Sequence, residues 1–123
     1  MTEDGLLREL FLGFIRVHVL YHAGEAPVYG AEMIEELGRH GYRVSPGTLY
    51  PMLHALTASD LLAVSERVVE GKRRKEYRLT SHGQEILALA QRQIRELAHE
   101  VLPPDDARPA MLEPPAPESS ADE

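Results

Sequence analysis

The sequence contains no cysteine and no tryptophan, and only two phenylalanines. Without thiols, neither a disulfide framework nor a thiolate metal site is available. No apolar run approaches the ~20 residues of a membrane span. The N-terminus lacks the basic start, apolar core and small-residue cleavage site of a leader, which fits a cytoplasmic protein. No glycine-rich phosphate loop, nucleophile elbow or metal-protease helix is present, so nothing marks the chain as an enzyme. At 123 residues and 43% hydrophobic, it is long enough for one folded domain and too short for two ordinary ones.

Positive charge is also scarce. Thirteen Lys and Arg oppose twenty Asp and Glu, a net charge of −7, which taken alone argues against a nucleic-acid partner. Its distribution matters more. Residues 103–123 hold six acids and one arginine, whereas residues 39–78 hold eight Lys or Arg against four acids. A local basic patch governs contact with phosphate, and the chain average does not.

The stretch Arg43-Val-Ser-Pro-Gly-Thr-Leu-Tyr-Pro-Met-Leu-His-Ala-Leu56 falls inside that basic segment. Ser45 has a hydroxyl suited to capping a first helical turn, and Pro46 suits the first helical position. Leu49, Met52, Leu53 and Leu56 recur at steps of three and four, which makes one side apolar. The other side carries Thr48, Tyr50, Pro51, His54 and Ala55 and no carboxylate, unlike an ordinary solvated helix. This pattern fits a recognition helix for the DNA major groove; a short capped surface helix is the plainer alternative.

Around it, residues 6–22 read as a helix apolar on most sides, more than so small a domain can cover alone. One side therefore needs a partner, most simply a second copy. Ala23-Gly-Glu-Ala-Pro27 reads as a turn. Residues 29–39 form a second helix, and Gly41 can take the left-handed conformation that closes it. Two helices joined this tightly make a helix-turn-helix. Residues 61–70 and 76–79 read as strands, with Gly71 in the turn and Lys72-Arg-Arg-Lys75 at a basic hairpin tip. Thr80 or Ser81 caps a long helix, and Ser81 with Gln84 has capping-box spacing. Leu87, Ala90, Ile94, Leu97 and Val101 form a short heptad seam. The acidic, proline-rich residues 103–123 are expected to be disordered. The resulting fold class is mainly α with a small β-hairpin. Residues 1–80 make a winged helix-turn-helix, 81–102 a C-terminal dimerisation helix and 103–123 a tail.

Val44-Ser-Pro-Gly-Thr-Leu-Tyr-Pro-Met-Leu-His-Ala-Leu56, then Asp60-Leu-Leu62, then Gly71-Lys-Arg-Arg-Lys-Glu-Tyr-Arg-Leu-Thr80 and Gly83, resembles the PadR family of bacterial transcriptional regulators. The Gly-Thr-Leu-Tyr-Pro-x-Leu segment and the Tyr-x-Leu-Thr-x-x-Gly hairpin exit are that family's signatures. Tyr29-Gly30 matches its start of the second helix, and the resemblance covers residues 6–102. The single terminal helix resembles the compact branch of the family. A glycine common after the recognition helix is replaced by Asp60, and an aromatic common after Tyr29-Gly30 is replaced by Ala31. With no tryptophan, the paired indoles that hold planar drugs in some members have no counterpart.

The resemblance implies a sequence-specific DNA-binding regulator, a repressor released by an effector. It would be a homodimer on a palindromic duplex, with half-sites about 34 Å apart. The implied DNA-contacting set is Tyr29, Arg43, Ser45, Gly47, Thr48, Tyr50, His54, Lys72, Arg73 and Arg74. Hydroxyls and helix N-terminal N–H groups suit phosphates, and the wing cations would track the backbone. His54 has two readings, base-edge contact or plain surface, and Tyr50 equally suits packing between helix and wing. The implied dimer interface is Leu7, Phe11, Phe14, Leu87, Ile94, Leu97 and Val101. The effector is either a small apolar molecule bound between Phe11, Phe14 and the last helix or a transition metal. His18 and His22, four apart on one helix face, have chelating spacing. The plainer reading, and the one the residues favour, is one histidine in the interface and one at the helix end. The competing function is a winged-helix module that binds protein instead of DNA, which the overall acidity favours.

Overall fold

Thr2 starts the first helix: its hydroxyl accepts a hydrogen bond from the Gly5 N–H at 3.0 Å, and Glu3 and Asp4 place negative charge at the positive end of the helix. The computed structural model describes residues 2–104. Most of the acidic tail expected over 103–123 therefore lies outside the described residues. The element order is α1 (Glu3–Glu25), α2 (Gly30–Arg39), α3 (Pro46–Ala58), β1 (Leu62–Val69), β2 (Lys72–Leu79) and α4 (Ser81–Val101). This is a winged helix with a long terminal helix.

α1 runs three residues beyond the expected end at His22 and absorbs most of the turn read at 23–27. Gly24 does not break it. A Cβ at Gly24 would come within 2.9 Å of the Leu79 side chain, so glycine there serves close packing. The helix is divided along its length. Ile15, Val19, Leu20 and Ala23 are buried, whereas Leu6, Leu7, Leu10, Phe11 and Phe14 remain 41–49% exposed.

α2 ends as the glycine suggested. Gly41 has φ +92°, its N–H donates to the Gly38 carbonyl, and the Tyr42 N–H donates to the Leu37 carbonyl, both at 3.0 Å. This paired closure satisfies carbonyls the helix would otherwise leave free. α3 closes the same way with Asp60 in glycine's place. Asp60 has φ 65°, its N–H reaches the Thr57 carbonyl, and the Leu61 N–H reaches the Leu56 carbonyl at 2.9 Å. Aspartate tolerates the left-handed region better than most side chains, so the substitution keeps the turn.

β1 and β2 pair antiparallel, with Leu62 opposite Leu79 and Val69 opposite Lys72. The two-residue connection is Glu70-Gly71, and both residues have positive φ, 54° and 78°. Left-handed conformers at both positions match the right-handed twist of the strands. The expected basic tip is therefore corrected: Glu70 and Gly71 form the tip, and Lys72 to Lys75 belong to β2. Val28 adds a third strand fragment. It exchanges two backbone hydrogen bonds of 2.9 Å with Tyr77, which brings the α1–α2 connection against the outer edge of β2.

The core joins every element. Val19, Leu37, Leu49, Leu53, Leu62 and Tyr77 are almost fully enclosed, and Leu87 of α4 joins them. Leu87 was expected at the dimer interface. At 8% exposure it is committed to the protomer's own core, because the first two turns of α4 lie against α1 and β2. A boundary at residue 80 thus does not separate packing units. Thr80, not Ser81, caps α4: its hydroxyl accepts from the Gly83 N–H at 2.8 Å and donates to the Asp60 carbonyl at 2.6 Å. Gly83 sits against β1's entry, where a Cβ would collide with the Leu61 carbonyl oxygen and press within 2.6 Å of Leu79.

Gly83→Ala is expected to lower stability by about 1–3 kcal/mol through overpacking against backbone. Gly38→Ala, with nothing within 4 Å of the added methyl, should instead gain up to about 1 kcal/mol from helix propensity. Urea midpoints at one protein concentration test both; a harmless Gly83→Ala would refute the close approach.

Candidate nucleic-acid interface

α3 turns Leu49, Met52, Leu53 and Leu56 into the core, so the apolar stripe read in the sequence faces inward. Its outward side holds Gly47, Tyr50, Pro51, His54 and Ala55, with Thr48 half-buried beside them. No acid lies in the first turn. Pro51 sits inside the helix and has no N–H, so the Gly47 carbonyl loses its helical donor and remains an acceptor on this side.

Ser45 occupies the cap position, but its side chain makes no cap bond. The hydroxyl turns instead toward the Thr48 hydroxyl at 3.5 Å, while its backbone carbonyl receives the Thr48 and Leu49 N–H groups. The expected cap is thereby corrected: two adjacent hydroxyls stand together at the helix N-terminus. Arg43 precedes them and is exposed.

Tyr50 packs while remaining 37% exposed. Its ring lies over Gly30, where any Cβ would overlap it. The neighbouring Tyr77 phenol is pushed up by burial and then by the nearby Tyr50 hydroxyl. Tyr50 thus bridges α3, the start of α2 and the base of the hairpin, and Gly30 is the residue that admits its ring. His54 is exposed on the outward side of α3.

The hairpin cations divide by strand alternation. Arg67, Arg74 and Arg78 share one face with Glu76, while Arg73 and Lys75 share the other with Glu66. Glu76 is only 3% exposed; Arg78 holds it at 3.1 Å and Arg67 lies at 3.8 Å. Arg74 stacks on the Tyr29 ring, 4.2 Å from its centroid, and pairs with Glu32 at 3.3 Å. Tyr29 is therefore a platform that orients a wing cation, a role the sequence did not disclose. Arg73 pairs with Glu66 at 3.2 Å, and Lys72 and Lys75 are exposed.

The remaining expected residues lie elsewhere. Leu7, Phe11 and Phe14 of α1 and Ile94, Leu97 and Val101 of α4 are exposed on the protomer. An open groove of about 530 Å³ runs between α1 and the α2–α3 connection, lined by Phe11, Ile15, Tyr42, Val44 and Thr48 among others. Phe14 and α4 do not line it. His18 and His22 meet a third imidazole, His40, at the end of α2, and Glu36 stands among them. Burial, then His40 and His22, lowers the His18 pKa against the raising effect of Glu36. Burial alone would raise Glu36, but the His40 hydrogen bond, His22 and Arg39 outweigh it and hold the carboxyl below its usual range. His40 and Glu36 escaped notice in the sequence because they come from a different helix.

A family model described as the transcriptional regulator PadR-like family matches residues 19–89. The transcriptional regulator Rv3488 of Mycobacterium tuberculosis is 50% identical over 96 residues, covering 78% of this chain and 90% of the relative. A PadR family transcriptional regulator from Eggerthella lenta superposes with a TM-score of 0.70 at 32% identity, covering 80% of this chain and 87% of that one. A PadR-like transcription factor from Bacteroides fragilis gives 0.69 at 28% identity, covering 80% and 96%. The matched segment begins within α1 and ends within α4, taking in α3 and both hairpin strands, so the chain belongs to the PadR-like family of transcriptional regulators, which are not enzymes.

Proposed function

We propose that two copies of this chain bind a palindromic operator in double-stranded DNA and act in the cytoplasm as a repressor that an effector releases. The observation that carries this reading is the acid-free outer side of α3 together with four consecutive cations on β2 of the hairpin that follows it. Ser45 and Thr48 offer hydroxyls at a helix N-terminus, where the partial positive charge of the helix also favours phosphate. Arg43 adds charge at the same end. The pair Arg73–Glu66 is solvent-exposed and Arg74–Glu32 partly so; exposed pairs are worth about 0–1 kcal/mol, so phosphate can replace the Glu66 carboxylate at little cost.

Uncovered apolar surface supports the dimer. The first half of α1 and the last turns of α4 expose Leu7, Phe11, Phe14, Ile94, Leu97 and Val101. Such a surface on a small domain marks an interaction site. Two-fold symmetry would set the recognition helices about 34 Å apart, one turn of the duplex. The groove beside Phe11 and Thr48 supports a small-molecule effector, since its volume lies in the range of ligand pockets.

Changing Lys72, Arg73 and Arg74 together to Ala should weaken binding to every duplex and reduce the salt slope by up to about 3, one unit per lost phosphate contact. Fluorescence anisotropy at two salt concentrations measures this, and an unchanged slope would remove the hairpin from phosphate contact. Thr48→Ala should cost more on the operator than on random DNA, by about 0.5–1.5 kcal/mol of discrimination, the net worth of one hydrogen bond. Equal losses on both would limit Thr48 to positioning. Phe14→Glu combined with Leu97→Glu should yield a monomer in sedimentation and abolish operator binding; a persistent dimer would place the interface elsewhere. The net charge of −7 favours a protein partner instead. Failure of the full chain to bind promoter DNA even at low salt would select that reading.

A further inference from the structure

Three imidazoles converge from two helices. His18 and His22 lie one turn apart on α1, and His40 is the C-cap residue of α2. Their ring nitrogens, one from each, all lie within 4.8 Å of one another. The His18 and His40 rings stand 4.7 Å apart, and those of His18 and His22 are nearly parallel, 9° between planes. Glu36 enters the same space. Its Oε2 is 3.1 Å from His40 Nε2 and 3.5 Å from His22 Nε2. Its other oxygen, Oε1, accepts a 2.6 Å hydrogen bond from Arg39. The carboxylate is therefore anchored by one oxygen while the other points at the imidazoles.

We infer that His18, His22, His40 and Glu36 form a binding site for a divalent transition-metal ion of the Zn²⁺ class, bridging α1 to the end of α2. Three neutral nitrogens and one carboxylate oxygen supply the donor set and number that a tetrahedral zinc ion takes. Imidazole suits this class of ion, whereas calcium and magnesium prefer all-oxygen shells. Bonds of roughly 2.0–2.1 Å require the nitrogens to close in from their present spacing. Small rotations of His22 and the exposed His40 accomplish this, since neither ring is enclosed. Arg39 plays the part of the outer partner that orients a ligating carboxylate. Tyr42 meets the His18 ring edge-on at 5.4 Å and closes the site on the side of the α2–α3 connection. A groove along Glu36 is lined by Glu25, Glu32 and Glu35 against one Arg39, a field that favours entry of a cation. Hydrogen bonds between histidine and glutamate explain contact between pairs. They do not explain why three imidazoles converge, with a carboxylate that already has an arginine beside two of them.

The test uses the full, untagged chain stripped with a chelator and titrated with Co²⁺ and then Zn²⁺. One ion per protomer is expected, with the intense visible absorption of four-coordinate cobalt, bleached when zinc displaces it. His18→Gln and His40→Gln should each weaken zinc binding at least tenfold, about the smallest loss seen when even an outer partner of a metal ligand is removed. Glu36→Gln should weaken the cobalt absorption. His82→Gln and His99→Gln, on α4, should bind as the parent does. His40 and Glu36 reach solvent, so their variants keep the fold, checked by circular dichroism. A weak six-coordinate cobalt spectrum in the parent chain, or zinc affinity unchanged in both His18→Gln and His40→Gln, overturns the site.

Discussion

Two backbone hydrogen bonds between Val28 and Tyr77 determine how the pieces meet. A lone two-stranded hairpin is marginal in water. Here its outer strand is fastened to the α1–α2 connection, so the wing is part of the helical body. The same fastening buries Tyr77, sets Tyr29 under the Arg74 guanidinium, and places Glu32 where it pairs with that arginine. Tyr50 completes the joint from the side of α3, resting on Gly30 and neighbouring Tyr77. Helix and wing are therefore held in one relative placement by a backbone pair, two tyrosines and a glycine. A binding surface gains affinity from being preorganised in this way.

A second economy concerns charge. Glu76 is buried between Arg67 and Arg78, so that carboxylate adds little negative charge to the hairpin surface. Burying a carboxylate without partners is costly, and the two guanidiniums offset that cost. The rest of the hairpin's positive charge stays on the outside or in weak exposed pairs. The net acidity of the chain is thus spread unevenly, with the outer side of α3 free of it.

Much of this was legible in the sequence, and the reasons differ by element. The heptad-like spacing of Leu49, Met52, Leu53 and Leu56 identified the inward side of α3 because helical periodicity is local. Gly41 announced a left-handed closure for the same reason. The hairpin tip was misplaced because four cations read as a solvated turn, whereas Glu70 proved willing to adopt a positive φ that side chains of its kind seldom take. Gly24 read as a break because nothing in its neighbourhood reveals Leu79, which arrives from 55 positions away. Leu87 was assigned outward because a seam of alternating threes and fours does not say where the protomer's core ends and a partner begins. Tyr29 over Arg74, and His40 with His18, are contacts between elements and leave no mark in the spacing of either.

Gly83 has a geometric consequence at the far end of the molecule. The Leu61 carbonyl occupies the space a methyl group would need, so α4 leaves the body at an angle set by that contact. From there to Val101 the helix extends about 27 Å at 1.5 Å per residue. A lever of that length turns a tilt of ten degrees at its root into a displacement of roughly 5 Å at its tip. One hydrogen atom in place of a methyl group therefore calibrates where Ile94, Leu97 and Val101 arrive.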